Sequence, residues 1–325
     1  MSAAARPVRA IIAVAAALLA ALAVTASTRA GGHATAVKAT IHARLAAQQK
    51  REAQSAPACD PTASLRPHGP PSVIPGSYLA TIRARGYLIA GVDQSTYHFG
   101  YLNPFDGQIE GFDIDMLHAI AAAIFGNPDK IRFVAISDAE RIPALQSGKV
   151  DIVAHTMTIT CARLQLVDFS TVYFDAAQRV LVLKNAGMNS LPDLDGQRVC
   201  ATSGSTSLAL IKSGLDPADT ISAIPVAVPY WTDCLVLLQQ GDVAAISTDD
   251  SILAGLAAQD PYTEIIGPRL SNEPYGLAIS KQHPDFARFV NAVLAKMRAD
   301  GQWAASYRRW IGTPAPPPPV AHYQD

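Results

Sequence analysis

A helix that stops at a glycine and hands over to a short apolar strand occurs twice in this chain. Leu145-Gln146-Ser147-Gly148-Lys149-Val150 reads in step with Leu238-Gln239-Gln240-Gly241-Asp242-Val243. Carried on, Ile152-Val153-Ala154-His155-Thr156 lies over Ala245-Ile246-Ser247-Thr248-Asp249. Such a unit belongs to an α/β architecture, and its recurrence points to two similar lobes. Ligands of open α/β sheets bind beyond the strand C-termini. One strand ends at Thr156 and the other at Asp249, so facing lobes would oppose a carboxylate binder and a carboxylate. Chance similarity is the rival account, because helix–glycine–strand units are common.

The first strand end opens the stretch Val150 to Ser170, V-D-I-V-A-H-T-M-T-I-T-C-A-R-L-Q-L-V-D-F-S. An apolar strand ends at His155, Thr156, Thr158 and Thr160 alternate, and Arg163 follows. Hydroxyls, backbone amides and one guanidinium suit a small carboxylate, which arginine grips bidentately through its planar fork of donors. Taken alone, these residues fit a capped turn with a surface arginine equally well. In the second half a strand over 198–202 runs into Ser203-Gly204-Ser205-Thr206. Those small residues leave N–H groups free at the start of a helix over 207–213, a favourable place for an anion.

At 325 residues the chain can hold one or two domains. Its net charge of −1 and pI near 6.7 offer no basic surface to a nucleic acid. Arg6 and Arg9 precede an apolar run from Ala10 to Val24 and then small residues from Thr25 to Ala30. That is the layout of a secretory signal, with cleavage near Ala26 or Ala30. The alternative is an uncleaved anchor, although the run is short for a full span. No cysteine follows it closely, so no lipid-attachment site is expected. Cys59, Cys161, Cys200 and Cys234 form no C-x-x-C pair and fit an exported protein with two disulfides. The eight histidines are scattered without ligand spacing, so no metal or cofactor is expected.

Residues 31–77, rich in Ala, Gln, Pro and Ser, read as a linker or tether, briefly helical at 36–53. The segment 314–325 carries a proline run and reads as extended and disordered. Between them strands and helices alternate. A strand over 87–92 ends at Asp93, and Asp106-Gly107 signals a hairpin. Asp113 can cap a helix with apolar positions Ile114, Leu117, Ile120, Ala121 and Ile124, stopped by Gly126. Ser137 and Glu140 make a capping box for a helix over 138–147, which tolerates Pro143 in its early turns. Further helices are expected over 233–240, 251–258, 284–298 and 302–310, and a strand over 243–246.

Together these residues resemble the extracellular solute-binding proteins of polar amino-acid ABC importers, solute-binding protein family 3, over about 82–311. The matching marks are R-G-Y-L-I-A-G-V-D (85–93), G-F-D-I-D-M-L-H-A-I-A (111–121), I-P-A-L-Q-S-G-K-V-D-I-V (142–153), T-M-T-I-T-x-x-R (156–163), V-D-F-S-T-V-Y-F (167–174), S-G-S-T-S (203–207), S-T-D-D (247–250) and D-G-Q-W (300–303). With C-D-P-T-A-S-L-R-P at 59–67 and the proline-rich tail, the chain is similar to the actinobacterial glutamine/glutamate-binding, GlnH-like type.

The resemblance implies a type II periplasmic-binding-protein fold, two α/β lobes joined by two extended strands with the ligand clamped between them. Lobe 1 would take 78–178 and 273–312 and lobe 2 would take 179–272, flanked by the signal or anchor (1–30), the linker (31–77) and the tail (313–325). The crossings would fall near 175–180 and 271–276. By the family's motif Arg163 holds the ligand α-carboxylate, helped by the Thr158 and Thr206 amides. Asp249 holds the α-ammonium, helped by the Thr156 carbonyl and the Thr158 hydroxyl. The alternative is that Asp250 takes that role and Asp249 caps the next helix. Asp93 sits where relatives approach the ligand from the first strand, although an aspartate there often makes a local turn. Arg141 sits where acidic-ligand relatives read the side-chain carboxylate. A helix-surface arginine paired with Glu140 or Asp138 would look the same.

An aromatic roof falls to Tyr97, His98 or Phe99. His155 reads as a packed histidine, and Trp303 and Trp310 as core. Asp138 stands where many relatives carry an aromatic or a serine, and Thr202 where some carry lysine, so the far end of the ligand stays open. Ala244 replaces a common acidic residue with little expected consequence. Cys200, at a strand end, is expected to pair with Cys234, at a helix start in the same lobe. Cys59–Cys161 then ties the pre-domain segment to lobe 1, one of three pairings that four cysteines allow.

The implied function is delivery of glutamate, aspartate, glutamine or asparagine to an ABC permease by an exported, monomeric binder, with no catalysis. Tethering to the outer face of the membrane follows if the anchor is kept. Two alternatives stand beside it. One is a sensor that hands its closed form to a membrane receptor. The other is an enzyme like the periplasmic cyclohexadienyl dehydratases, against which an intact amino-acid clamp argues.

Overall fold

The computed structural model describes residues 59–216 and 221–325. The expected signal or anchor, the helical stretch at 36–53 and the linker up to residue 58 lie outside the described residues.

Two five-stranded sheets carry the two lobes. In the first, Leu88–Val92 lies between Ile131–Ala135 and Ile152–Ala154, all parallel. Ala278–Ile279 then pairs antiparallel with Ile152–Ala154, and Asp168–Phe169 closes the edge. The second sheet repeats the plan: Arg198–Thr202 lies between Ile224–Val228 and Ala245–Asp249, all parallel. Its neighbour, Phe174–Leu183, runs antiparallel to Ala245–Asp249. In both sheets the third parallel strand therefore sits at the centre beside an antiparallel strand. Those two strands, Ile152–Ala154 and Ala245–Asp249, are the ones that the internal sequence repeat aligned.

The lobes are joined by the long strands Phe174–Leu183 and Thr263–Tyr275, paired antiparallel from Phe174–Tyr275 to Leu183–Thr263 with a register shift between Ile266 and Ser271. Phe174, Ala176 and Tyr275 pack in the first lobe's core, whereas Val180, Val182 and Ile266 pack in the second's. This pair is the hinge of a two-lobed type II fold. A third apolar cluster, around Val153, Met157, Ile159 and Phe169, lies under the threonine stretch.

Local chemistry accounts for most boundaries. Ser137 and Glu140 form the reciprocal capping box, on a 3₁₀ turn Asp138–Glu140 that continues as the helix Arg141–Gln146. Asp106-Gly107 turns the Gly100–Leu102/Ile109–Glu110 hairpin. Thr206–Ser213 is capped by the Ser205 hydroxyl, which accepts from the Leu208 N–H. Both expected bridges are present, Cys59–Cys161 and Cys200–Cys234.

Three expectations need correction. Asp113 does not cap its helix: Phe112–Phe125 follows Gly111, and Asp113 is buried inside the first turn. Residues 59–77, read as linker, are docked onto lobe 1. Ala63–Ser64 pairs with His322–Tyr323, Asn291 donates to Ser64 Oγ and the Leu65 carbonyl, and Leu65 and Val73 pack on the core. The tail, read as disordered, supplies that parallel strand and ends with the Asp325 carboxylate on Arg288 at 2.5 Å and on the Arg66 N–H at 2.7 Å. Low-complexity composition hid these pairings because the partners lie more than 200 residues away.

Candidate functional site

The two central strands end on opposite sides of one cleft. In lobe 1 the chain leaves Ile152–Ala154 through Thr156, whose φ of +41° is unusual for a β-branched residue. Asp113 holds that bend. Its Oδ2 accepts from the Thr156 N–H at 2.8 Å and its Oδ1 from the Tyr173 hydroxyl at 2.6 Å. Burial raises the Asp113 pKa to about 6, against the lowering effect of these two donors. The chain then presents Thr158, and Thr160 caps the turn Cys161–Leu164 that carries Arg163.

Arg163 donates from Nη1 to the Thr158 carbonyl at 2.7 Å and from Nη2 to the Gly204 carbonyl of lobe 2 at 3.0 Å. It meets no carboxylate in an ion pair among the described residues. Burial, then the nearby Arg141 charge, pulls its pKa down to about 10, so it stays cationic at neutral pH. Arg141 differs. It is buried, and its Nη1 pairs with Asp138 Oδ1 at 2.7 Å and donates to the His155 carbonyl at 3.1 Å. Its Nη2 reaches Gly204 O at 3.3 Å. Burial alone would raise the Asp138 pKa, but Arg141 and His155 outweigh it and hold the carboxyl below its usual range. Asp138 also accepts from the Thr202 hydroxyl of lobe 2.

Gly204 has to be glycine for two reasons. Its φ is +84°, and a Cβ there would lie 2.8 Å from the Ala139 Cα of the opposite lobe. The backbone of lobe 2 thus comes close enough to share one carbonyl between Arg141 and Arg163.

In lobe 2 Asp249 ends the central strand and precedes the helix Asp250–Gln259. Its Oδ2 accepts from the Tyr275 hydroxyl at 2.6 Å, while Oδ1 is buried without a partner. Burial first, then the Glu273 charge, pushes its pKa well above the usual carboxylate range. Asp250 faces away and accepts from the Ala177 N–H. Glu273, on the returning hinge strand, is buried and accepts from Thr158 Oγ1 at 2.6 Å and Thr206 Oγ1 at 2.9 Å.

Six of the seven expected ligand residues, Arg141, Thr156, Thr158, Arg163, Thr206 and Asp249, line one small, tightly closed cavity. Asp93 does not line it. Its carboxylate is spent on a local turn, accepting from the Gln94 and Ser95 amides and from the Ser95 and Thr96 hydroxyls. Tyr97, His98 and Phe99 provide no roof to this cavity either; Phe99 is core, and Trp231 of lobe 2 lines it instead. His155 is buried with Nε2 on the Ile136 carbonyl at 2.9 Å. Larger surface grooves beside His68–Ile74 and beside Tyr97–Phe105 gather no comparable set of opposed charges. Sequence reasoning missed Trp231 and Glu273 as site residues and left Asp138 undecided. The one visible signal for Glu273 was an acidic residue inside an expected hinge strand.

Comparison with known proteins gives a consistent result. The family described as bacterial extracellular solute-binding proteins, family 3, matches residues 88–313. The ABC transporter glutamine-binding protein GlnH of Bacillus subtilis is 37% identical over 234 residues, 72% of this chain and 84% of the relative. The glutamate/aspartate import solute-binding protein of Salmonella typhimurium is 29% identical over 251 residues, 74% of this chain and 82% of the relative. A solved structure, an ancestral arginine-binding protein bound to glutamine, matches with a TM-score of 0.64 at 34% identity, over 70% of this chain and 99% of that one.

Proposed function

The chain belongs to the bacterial extracellular solute-binding proteins, family 3, and we propose from that premise that it clamps glutamine, glutamate, asparagine or aspartate between its lobes and delivers it to an ABC permease. It is a binding protein and not an enzyme, as its relatives are transport binding proteins. The observation that carries the ligand class is the opposition of an unpaired guanidinium and a half-unpartnered carboxyl group across one small cavity. Arg163 meets only carbonyl oxygens, and Asp249 has a buried oxygen with no partner. A zwitterion leaving water needs both charges answered. The α-carboxylate belongs at Arg163 and the α-ammonium at Asp249, with Thr156 and Thr158 beside them.

In this reading lobe 1 comprises 78–178 and 273–312 and lobe 2 comprises 179–272. Ligand-driven closure about the hinge is the state the permease receives. The protein works outside the cell membrane, as a monomer, held there if its N-terminal segment is retained. The pairing of Arg141 with Asp138 leaves the distal end of the pocket near neutral, which suits an amide at least as well as a second carboxylate. Calorimetric titration against the twenty amino acids tests the reading. Tightest binding of one of the four named ligands supports it; tightest binding of arginine or cysteine, or no binding at all, contradicts it.

A further inference from the structure

Glu273 lies behind the cavity wall and ties together two threonines from opposite lobes. One oxygen, Oε2, receives the hydroxyl of Thr158 from lobe 1 and of Thr206 from lobe 2. The other, Oε1, receives the Ser271 hydroxyl at 2.5 Å. A carboxylate only accepts, and a threonine hydroxyl has a single proton to give. Both threonine protons therefore point at Glu273 and away from the cavity that both residues line. Toward a ligand these hydroxyls present lone pairs alone. The neighbouring Asp249 Oδ1, also buried and unpartnered, becomes an acceptor once a bound ammonium draws its carboxyl into the charged form. The Thr158 and Thr206 hydroxyls are thus fixed as acceptors, whereas the Thr156 hydroxyl, buried without a partner in the same cavity, keeps its proton free.

We propose that Glu273 is a specificity-determining positioning residue, which fixes the Thr158 and Thr206 hydroxyls as acceptors and so makes this seat demand a group with three N–H donors, a primary ammonium. The proposal rests on the amino-acid reading above and adds to it what sets the seat's polarity. It also gives Thr206 a second task beside its backbone amide. An α-hydroxy acid brings one donor to several acceptors and leaves buried lone pairs facing lone pairs. A secondary amine brings two donors and leaves one acceptor unanswered. The α-hydroxy acid is nearly isosteric with the primary amine, so its rejection would come from hydrogen-bond count and not from shape.

Glu273→Gln keeps the side chain's shape but turns one of its oxygens into an N–H₂ donor. That group donates to one threonine oxygen and forces its proton into the cavity, where it meets the ammonium. The test compares L-glutamine with its α-hydroxy counterpart, 2-hydroxyglutaramic acid, by calorimetry on the wild type and on Glu273→Gln. The wild type should prefer the amine by more than a hundredfold, and the variant should lose about tenfold or more of that preference. Equal weakening of both ligands, or an unchanged preference, overturns the proposal while leaving the amino-acid reading intact. A wild type that binds no amino acid sinks that reading and the proposal with it. Should Glu273→Gln fail to fold, Thr206→Val removes one of the two oriented acceptors. Its amine-over-hydroxyl preference should then fall by a similar factor, and no change there overturns the proposal.

Discussion

The two strand ends that face each other across the cleft grow from the same sequence unit and the same place in their sheets, yet they differ in how they are held. At the Ala245–Asp249 end the strand runs straight into a helix, and Asp249 keeps an ordinary φ of −63°. At the Ile152–Ala154 end the chain is bent at Thr156 and pinned by Asp113, a residue from another element. The first end delivers a single carboxyl group, steadied by one hydroxyl, that of Tyr275 on the returning hinge strand. The second must aim a carbonyl, a hydroxyl and a guanidinium at one point, and it relies on a buried carboxylate to do so. One plan thus yields a simple anionic end and an elaborate cationic one.

The largest expected effect is loss of the cationic end. Arg163→Ala leaves the ligand carboxylate buried and unpaired, at a cost of about 3–5 kcal/mol. With about 1.4 kcal/mol per tenfold, affinity should fall by two to three orders of magnitude. Stability should hardly change, because Arg163 gives up only carbonyl partners. A titration in which Arg163→Ala binds within about threefold of the wild type would equate the two ends with ordinary turns.

The neighbouring arginine should behave in the opposite way. Arg141→Ala strands Asp138 as a buried, unpaired charge, so the loss of about 3–5 kcal/mol should fall on folding, read by denaturant unfolding. Removing both charges together, in Arg141→Met with Asp138→Asn, should spare most of that stability. In the double variant glutamate should weaken more than glutamine if Arg141 reads the distal group. Equal loss for both ligands would place Arg141 outside ligand recognition.

Asp113 comes next in size. Asp113→Ala leaves the Thr156 N–H and the Tyr173 hydroxyl without their acceptor, costing about 1–3 kcal/mol for each buried group. Binding should weaken alongside stability, because the bend that aims Thr156 is no longer pinned. The carboxyl also gives a pH signature. Its folded pKa of about 6 lies above the ordinary value of 3.8. The proton is therefore held more tightly in the folded state, and the stability it brings is full below 3.8 and lost as pH rises through 6. Lowering the pH from 7 to 5 should stabilise the wild type relative to Asp113→Asn. The reverse order in paired denaturation curves would contradict the burial that defines this end.

What could be read from the sequence divides along the same line. The Ser137–Glu140 box and the Thr206–Ser213 helix depend on near neighbours, and spacing alone exposes them, whereas Arg163 and Asp249 stood out as ligand residues only through the family resemblance. The repeated helix–glycine–strand unit likewise foretold matching sheets. Asp113 looked like a helix cap because its true partners, Thr156 and Tyr173, lie 43 and 60 residues away. Glu273 went unnoticed since its hydroxyl donors come from both lobes, 115 and 67 residues off. Asp93 failed in the other direction: family position suggested a ligand contact, but four donors within three residues consume its carboxylate. The tail's pairing with Ala63–Ser64 was invisible because a two-residue strand has no period to detect.

A smaller, titration-based effect distinguishes the anionic end. The Asp249 carboxyl is pushed up by burial and by Glu273, and a bound ammonium favours its charged form. Binding of glutamine should release protons, and affinity should rise with pH until the free carboxyl is ionised. Calorimetry in two buffers of different ionisation enthalpy reads this directly, and uptake of protons would reverse the assignment.

The central claim is that the two strand ends clamp the two charges of one α-amino acid. Its most direct test is calorimetric titration of the wild type, Asp249→Ala and Asp250→Ala with glutamine and with glutaramic acid, which lacks the α-ammonium. Asp249→Ala should weaken glutamine by about two to three orders of magnitude and glutaramic acid far less, while Asp250→Ala keeps the wild-type preference between them. If Asp249→Ala binds glutamine as the wild type does, the clamp does not exist as described.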